Sequence, residues 1–221
     1  MAYRFPTAGV CALLLALACQ PAAAQSAKAR ATASVDLSAR LAQAQSDPQL
    51  QQTLFQLGRK VAAVCAHCHG EGGNSAKTDI PNLAGQNPAY LLEQLRQFAD
   101  GRRRNMFMEG MIRAMDSDEK VGMVLFYAAQ DVARTAPGNP ALAAKGQAYF
   151  NKTCFRCHGA DGRGNAQIAR IAGQQAHYLD LTLKRYRAGG GERASSVMVE
   201  NTRLMTDADI DAVVAFVSSM P

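Results

Sequence analysis

The sequence predicts an all-α chain with two tandem domains that are related by an internal repeat. The pattern Cys-x-x-Cys-His occurs at residues 65–69 and again at residues 154–158, which lie 89 positions further along. Around both copies, apolar residues recur at the three- and four-residue spacing of amphipathic helices, in the same order. Two copies indicate a duplicated domain, because a solenoid needs three or more units.

The repeated pattern is the attachment motif of covalently bound haem c. Cys65 and Cys68 are three residues apart, so each thiol can add to one vinyl group of the same porphyrin. His69 is then held beneath the ring, where its imidazole can reach the iron. The second copy supplies the same three residue types as Cys154, Cys157 and His158. We therefore expect two haem c groups per chain.

A four-thiolate zinc site is the alternative interpretation of the four cysteines, because paired Cys-x-x-Cys segments are common zinc ligands. The histidine that follows each pair favours haem. An export signal and a methionine in register after each motif favour haem in the same way.

Residues 1–24 have the pattern of a secretory signal peptide. Arg4 supplies the positive charge, residues 9–19 form an apolar stretch, and residues 22–24 are three alanines suited to cleavage. The mature chain is expected to begin at Gln25 and to reside in the periplasm.

Removal of the signal would also remove Cys11 and Cys19, so that every remaining cysteine belongs to a haem motif. The competing interpretation is a lipidated Cys19, which would anchor the protein to a membrane. Residues 16–18 fit a lipoprotein motif poorly, since leucine is expected three positions before the cysteine. Outside the N-terminus no apolar run is long enough to span a bilayer.

The formal net charge is +6, and loss of residues 1–24, whose only charged residue is Arg4, leaves +5. This modest positive charge favours redox partners with acidic docking surfaces. A candidate docking run is Arg102, Arg103 and Arg104; the alternative is that these residues are a solvated loop. Without a basic stripe, an exported chain is not expected to bind nucleic acid.

The expected organisation follows from composition and turn signals. It is a signal peptide (1–24), a flexible N-terminal extension rich in Ala, Gln and Ser (25–47), for which a weak helix is the alternative, a first domain (48–134), a Pro- and Gly-containing linker (135–140) and a second domain (141–221).

Three helices are predicted in the first domain, with a loop over residues 102–111 before the last one. Their start signals are Asp47-Pro48, Asn87-Pro88 and a capping box of Asp116 with Glu119. In the second domain, residues 171–174 match residues 83–86. Thr206 and Asp209 cap its last helix.

A methionine sulfur is the expected sixth ligand of each iron, and the repeat selects which methionine. Met115 and Met205 directly precede the last helix of each domain and are expected to be core residues. Seven positions earlier lie Met108 and Met198, 43 and 44 residues after the first cysteine of each motif.

Met106 and Met111 remain alternatives in the first domain. His177 is expected to be a surface residue, because its equivalent in the first domain is Ala89. His67, between two cysteines, is also expected to be exposed.

From about residue 55 to its end, the chain resembles the diheme cytochromes of the cytochrome c4 family. The resemblance rests on both attachment motifs, residues 80–86, Tyr90-Leu91, Tyr178-Leu179 and residues 108–111. It implies two class I cytochrome c folds and electron carriage in the periplasm, often toward a terminal oxidase. It also implies the axial pairs His69–Met108 and His158–Met198.

The chain departs from the family pattern at several places. The segment before the first motif is longer, and Ala169 stands where the first domain has Pro81. In such folds the carbonyl of this residue accepts the proton of the proximal histidine, and alanine still has a carbonyl. The Met198 segment also lacks the glycine that follows Met108 by two positions.

Three functions are compatible with these residues. The first is an electron carrier that is not itself an enzyme, because two filled axial positions leave no open iron. The second is a haem subunit bound permanently to a dehydrogenase. The third is a diheme enzyme with an open iron at the second site.

Overall fold

The computed structural model describes Met1 and residues 36–133, 138–191, 193 and 195–221. Within these ranges the regular secondary structure is helical, and the predicted all-α fold is confirmed. The first half contains α1 (Leu37–Ser46), α2 (Pro48–His69), a 3₁₀ turn (Glu71–Gly73), α3 (Pro88–Asp100), α4 (Met106–Ala114) and α5 (Ser117–Ala128). The second half contains α6 (Pro140–Lys152), α7 (Phe155–His158), α8 (Ala176–Arg187), α9 (Ser196–Thr202) and α10 (Asp207–Val217).

Each domain is built on a close crossing between its first long helix and its last helix. In the first domain α2 crosses α5 where Gly58 faces Gly122, and a Cβ atom at Gly58 would lie 1.9 Å from the Gly122 carbonyl oxygen. In the second domain α6 crosses α10, and a Cβ atom at Gly146 would lie 1.9 Å from the Ala212 carbonyl oxygen. The absence of a side chain at this point therefore sets the distance between the helices in both domains.

Most of the predicted helix starts are confirmed by capping contacts. The Asp47 carboxylate accepts hydrogen bonds from the N–H groups of Gln49 and Leu50, at 2.9 and 3.1 Å. Both capping boxes form, one at Asp116 with Glu119 and one at Thr206 with Asp209. These contacts satisfy N–H groups that have no partner within the helix.

The predicted cap at Asn87 is wrong in its side-chain role, although α3 does begin at Pro88. The Asn87 amide makes no capping bond. Instead it donates hydrogen bonds to the carbonyl oxygens of Arg163 and Ile168 in the second domain, at 2.9 and 3.1 Å. A side chain that sequence alone would assign to a helix start therefore joins the two domains.

The expectation of a flexible extension over residues 25–47 is wrong for its last part, which forms α1. Leu41 and Ala44 of α1 are buried in the core of the first domain. The Arg40 guanidinium donates to both oxygens of Asp118, at 2.7 and 2.9 Å, and so ties α1 to α5. Only two side chains of α1 are deeply buried, so the apolar periodicity of this segment is weak and gives little indication of a helix.

The predicted signal peptide, its cleavage site, Cys11 and Cys19 lie outside the described residues, as do residue 134 and residues 135–137 of the predicted linker. Where the structure describes helices, none combines the length and apolarity needed to cross a bilayer.

Two buried glutamines join the domains in a reciprocal arrangement. The Gln86 side chain donates to the Arg170 carbonyl oxygen at 2.8 Å and accepts from the Arg170 N–H at 2.7 Å. The Gln174 side chain donates to the Asn82 carbonyl oxygen at 3.0 Å and accepts from the Asn82 N–H at 2.7 Å. Each primary amide thus pairs with the backbone N–H and C=O of one residue of the opposite domain. We call these four bonds the glutamine clamp.

Candidate haem sites

The first attachment motif lies at the end of a long helix, and the second lies just after one. In the first domain α2 runs without interruption through Cys65 and Cys68 to His69. In the second domain the helix breaks at Thr153, and the motif lies on the short helix α7. Glycine follows each histidine with a φ of 77° or 78°, a conformation that other residues rarely adopt. The chain therefore turns sharply after each predicted iron ligand.

Each proximal histidine is oriented by a backbone carbonyl. His69 Nδ1 lies 2.9 Å from the Pro81 carbonyl oxygen, and His158 Nδ1 lies 2.9 Å from the Ala169 carbonyl oxygen. A carbonyl oxygen can only accept, so Nδ1 carries the proton and Nε2 keeps the lone pair that a metal binds. Ala169 thus supplies the same bond as Pro81, which the presence of its carbonyl had predicted.

Both histidines are also electrostatically suited to bind a metal. Burial is the largest influence and lowers the pKa of His69, although the Pro81 carbonyl opposes it. Burial lowers the pKa of His158 in the same way, against the effect of the Ala169 carbonyl. The neutral imidazole, which is the form that binds metals, is therefore favoured at both sites.

All four described cysteines are free of disulfide bonds. Burial raises the pKa of Cys65, and it raises the pKa of Cys154 to about 11, so both remain protonated thiols at neutral pH. Within the described ranges no three His, Cys, Asp or Glu side chains are grouped so that they could hold a metal ion. The alternative of a single four-thiolate zinc site is therefore wrong.

Met108 and Met198 occupy equivalent places in the two domains. Each lies in the first turn of a short helix, α4 or α9. The Met108 N–H donates to the Asn105 side-chain oxygen at 3.0 Å, and the Met198 N–H donates to the Ser195 hydroxyl at 3.4 Å. The expected loop over residues 102–111 is wrong from Met106 onward, because the Asn105 cap starts a helix there.

The other methionines fall into different environments. Met106 is 89% exposed, Met205 is only 5% exposed within the second core, and Met115 packs partly against the first core. Met108 also packs against the first core, whereas Met111 is half-buried. The two remaining histidines, His67 and His177, are exposed as predicted.

Two of the three arginines in the candidate docking run pair with acidic side chains. Arg102 pairs with Asp100 at 2.8 Å and with Glu93 at 3.1 Å. Arg104 lies 3.4 Å from Glu109, while Arg103 is half-buried at the domain boundary. Acidic neighbours thus offset two of the charges.

Sequence reasoning also missed that Arg103 has an equivalent in the second domain. Arg193 pairs with it through an isolated antiparallel backbone bridge. The available signal was spacing, because Arg103 and Arg193 each precede a predicted methionine ligand by five positions.

The residues present fit haem c. Each domain offers two free thiols three positions apart, a neutral imidazole whose Nε2 is available, and a methionine on a capped helix. Thioether links at the cysteines and an axial imidazole are the donor set that this cofactor requires.

Comparison with known proteins agrees with this donor set. The family model described as cytochrome c matches residues 55–136 and 143–221. Cytochrome c4 of Thiocapsa roseopersicina is 33% identical over 177 residues, covering 73% of this chain and 89% of the relative. The thiosulfate dehydrogenase electron acceptor of Stutzerimonas stutzeri strain A1501 is 30% identical and covers 98% of this chain and 95% of its own. The crystal structure of reduced recombinant cytochrome c4 from Pseudomonas stutzeri superimposes with a TM-score of 0.69 at 27% identity, covering 75% of this chain and 98% of that chain.

Proposed function

Because the chain belongs to the cytochrome c4 family and carries electrons through two covalently bound haem c groups, we propose that each iron has one histidine and one methionine as axial ligands. The observation that carries this proposal is the matched geometry of the two sites. At both sites a backbone carbonyl fixes the Nδ1 proton, and at both sites a methionine lies in the first turn of a capped helix.

The four cysteines would hold the two porphyrins, and the axial pairs would be His69 with Met108 and His158 with Met198. When bound, the haem iron alternates between ferric and ferrous states and so takes up or releases one electron. The carbonyls of Pro81 and Ala169 orient the imidazoles. With both axial positions filled by protein side chains, the iron would have no open position for a substrate, and the group would serve to carry electrons.

Mass spectrometry and ligand binding test this proposal together. The denatured protein should have the mass of its polypeptide plus two haems, and its visible spectrum should not change when cyanide or carbon monoxide is added. A mass with one haem or none would contradict the proposal. A new spectrum on ligand addition would instead support an open iron and the diheme enzyme.

A second candidate is a dedicated electron acceptor of a dehydrogenase. It is favoured by the relative that is named a thiosulfate dehydrogenase electron acceptor, because that relative aligns over 98% of this chain and so includes α1. We expect such an acceptor to be reduced rapidly by a thiosulfate dehydrogenase with thiosulfate. Reduction no faster than that of an unrelated cytochrome c would contradict this candidate. If the complex is permanent, the protein should also co-purify with the dehydrogenase, and failure to do so would contradict a permanent complex.

The predicted partners have acidic docking surfaces, on the basis of the +5 charge of residues 25–221. A terminal oxidase or a membrane-bound dehydrogenase is the expected kind of partner. Electrostatic steering should make the second-order electron-transfer rate fall as ionic strength rises. A rate independent of ionic strength would contradict an acidic docking surface.

Export to the periplasm, with cleavage before Gln25, is also proposed from residues 1–24. The test is the N-terminal sequence of protein recovered from the periplasm. A lipid on Cys19 in the membrane fraction would establish the anchored alternative.

A further inference from the structure

A buried tyrosine lies beside the first cysteine of the first attachment motif. Helix α5 packs against α2, and its residues Met123 and Tyr127 lie one turn apart on the same helix face. The Met123 sulfur lies 3.9 Å from the Cys65 sulfur, and the side chains of Tyr127 and Cys65 interact. Tyr127 is only 1% exposed. The sulfur of Cys65 therefore adjoins a hydroxyl that solvent does not reach.

The Tyr127 ring is held in place from two sides. A Cβ atom at Gly73 would lie 2.7 Å from Tyr127 Cδ1, so the ring packs directly against the backbone of the 3₁₀ turn that follows the motif. The Phe126 ring packs edge-on against the Tyr127 ring, with 5.2 Å between the ring centres. A ring that is fixed in this way cannot turn its hydroxyl toward solvent.

The hydroxyl of Tyr127 is also a polar group in need of a partner. Among the residues that the structure describes, none forms a hydrogen bond of standard geometry with it. A buried hydroxyl without a partner is unfavourable. Burial raises the pKa of Tyr127, and the Cys65 thiol raises it further. Burial also raises the pKa of Cys65, and the Tyr127 hydroxyl opposes that effect. Both influences of the pair are those of a hydroxyl that donates toward sulfur.

The second domain has a valine where the first domain has Tyr127. The Gly85 N–H donates to the Tyr127 carbonyl oxygen at 2.9 Å. The Gly173 N–H donates to the Val217 carbonyl oxygen at 3.0 Å, so Val217 occupies the equivalent position. Cys154 packs against the second core, and burial is the cause that raises its pKa to about 11. The two motifs thus place their first cysteines in different surroundings.

Attachment of a porphyrin changes what the sulfur of Cys65 can do. When a thiol adds to a vinyl group, the S–H bond and the vinyl π bond break. The sulfur then bonds to one vinyl carbon, and the hydrogen goes to the other. The free thiol can donate, and its sulfur lies 3.7 Å from the Val61 carbonyl oxygen. A thioether sulfur has no hydrogen and can only accept. The Tyr127 hydroxyl is a donor already placed beside it.

We propose that the Tyr127 hydroxyl donates a hydrogen bond to the thioether sulfur at Cys65 and thereby raises the reduction potential of the first haem alone. A hydrogen bond to this sulfur draws electron density from the porphyrin, which favours the ferrous state. Hydrogen bonds around a haem are one means by which a protein sets its potential. Tyr127 acts on the iron through the thioether, and the proposal rests on the attachment of a haem to Cys65 proposed above.

Potentiometric titration of Tyr127→Phe tests the proposal, because this change removes the hydroxyl and keeps the ring. Met108→Ala should alter the first haem only and so identifies its potential. We expect Tyr127→Phe to lower the potential of the first haem and to leave that of the second unchanged. Tyr149→Phe is the matched control, since it makes the same change at a half-buried position of the second domain, and it should leave the first potential unchanged. An unchanged first potential in Tyr127→Phe, or an equal fall of both potentials, would overturn the proposal.

A fluorinated tyrosine at position 127 separates the hydrogen bond from packing. Fluorine next to the hydroxyl makes it a stronger donor and adds little volume. The potential of the first haem should therefore rise from Tyr127→Phe through wild type to the fluorinated protein. A fluorinated protein whose first potential equals that of wild type, or lies below it, would show that the ring acts by filling space and would overturn the proposal.

NMR of the reduced wild-type protein gives a readout that does not depend on a variant. The Tyr127 hydroxyl proton should exchange slowly with water and should show a nuclear Overhauser effect to the protons of the thioether link at Cys65. Rapid exchange, or close protons that all belong to other groups, would contradict the proposed hydrogen bond. Failure of haem attachment itself would be seen separately, in the mass of the denatured protein.

Discussion

The proton on Nδ1 decides which nitrogen of each proximal histidine can bind iron. In both domains this proton is directed to a backbone carbonyl 2.9 Å away, one belonging to Pro81 and the other to Ala169. Because the bond uses the backbone, replacement of proline by alanine leaves it intact. The side chain at this position then affects only the stiffness of the loop, since proline fixes φ and alanine does not.

An ion pair between the side chains of Arg40 and Asp118 attaches α1 to the rest of the first domain. The hydrogen bond from Arg40 holds the pKa of Asp118 below its ordinary value of 3.8. A carboxyl group with a lowered pKa in the folded state stabilises that state above its ordinary pKa. This contribution is lost as the pH falls from about 3.8 through the folded-state pKa.

We therefore predict that acid releases α1 before it unfolds the domain. The amides of Leu41 and Ala44 should stay protected from hydrogen exchange at pH 5 in the wild-type protein and should lose that protection as the pH falls below about 3.8. In Asp118→Asn the protection should already be reduced at pH 5. The control is Asp161→Asn, which removes an exposed carboxylate of the second domain. If the amides of α1 are protected from exchange equally well at pH 5 in Asp118→Asn and in Asp161→Asn, the ion pair does not hold the helix.

At the scale of elements, the crossings of α2 with α5 and of α6 with α10 set the frame that positions both motifs. A methyl group at Gly58 or Gly146 would lie 1.9 Å from a backbone oxygen, which a change of side-chain rotamer cannot relieve. The helices would have to move apart, and the attachment motif at the end of α2 or after α6 would move with them.

Gly58→Ala and Gly146→Ala should each destabilise the protein by about 3 kcal/mol or more, at the upper end of the usual cost of overpacking. The free energy of unfolding from guanidinium titration measures this. Gly110→Ala is the control, because nothing lies within 4 Å of its added Cβ atom and α4 should gain about 0.5–1 kcal/mol in helix propensity. A similar loss of stability in all three variants would contradict the close-crossing explanation.

The elements differ in how far the sequence predicts them. The starts of α2, α5 and α10 carry strong local signals, because an Asp or Thr cap is followed within one turn by proline in α2 and by an acidic residue in α5 and α10. Helices α1 and α4 lack such a clear pattern. The first depends on the remote partner Asp118, and the second is started by Asn105 within a segment that reads as polar loop.

The features of the candidate sites likewise differ in whether the local sequence predicts them or whether they depend on residues far along the chain. Cys-x-x-Cys-His and the position of each carbonyl acceptor are local and follow from the repeat. The contacts of Arg103 with Tyr178 and of Arg193 with Tyr90 join residues 75 and 103 positions apart, so no local pattern reveals them. The side chain of Asn87 fits a helix cap on local grounds, but the second domain offers it two carbonyl oxygens instead.

At the scale of the whole molecule, the glutamine clamp makes the two domains depend on each other. Gln86 and Gln174 are buried, and each makes two hydrogen bonds with the backbone of one residue of the other domain. These residues, Arg170 and Asn82, directly follow Ala169 and Pro81, whose carbonyl oxygens accept the hydrogen bonds of the proximal histidines. Movement at the domain boundary would therefore reach both iron sites.

Gln86→Ala and Gln174→Ala should each weaken domain coupling by about 1–3 kcal/mol, since two hydrogen bonds of about 0.5–1.5 kcal/mol are lost in each. Calorimetry should show a broader unfolding transition, or two transitions, in place of the transition of the wild-type protein. Gln51→Ala, at an exposed position of α2, should leave the profile unchanged. Identical profiles for the buried and the exposed variants would show that the clamp does not couple the domains.

The ligation of both irons is the central claim, and the methionine–iron charge-transfer band of the oxidised protein tests it most directly. Met108→Ala and Met198→Ala should each remove about half of this band, and the double variant should remove it entirely, because each sulfur is assigned to one iron. Met106→Ala and Met111→Ala are the matched controls and should retain the full band. Loss of half the band in either control, with the full band retained in Met108→Ala, would contradict the assignment of the first site.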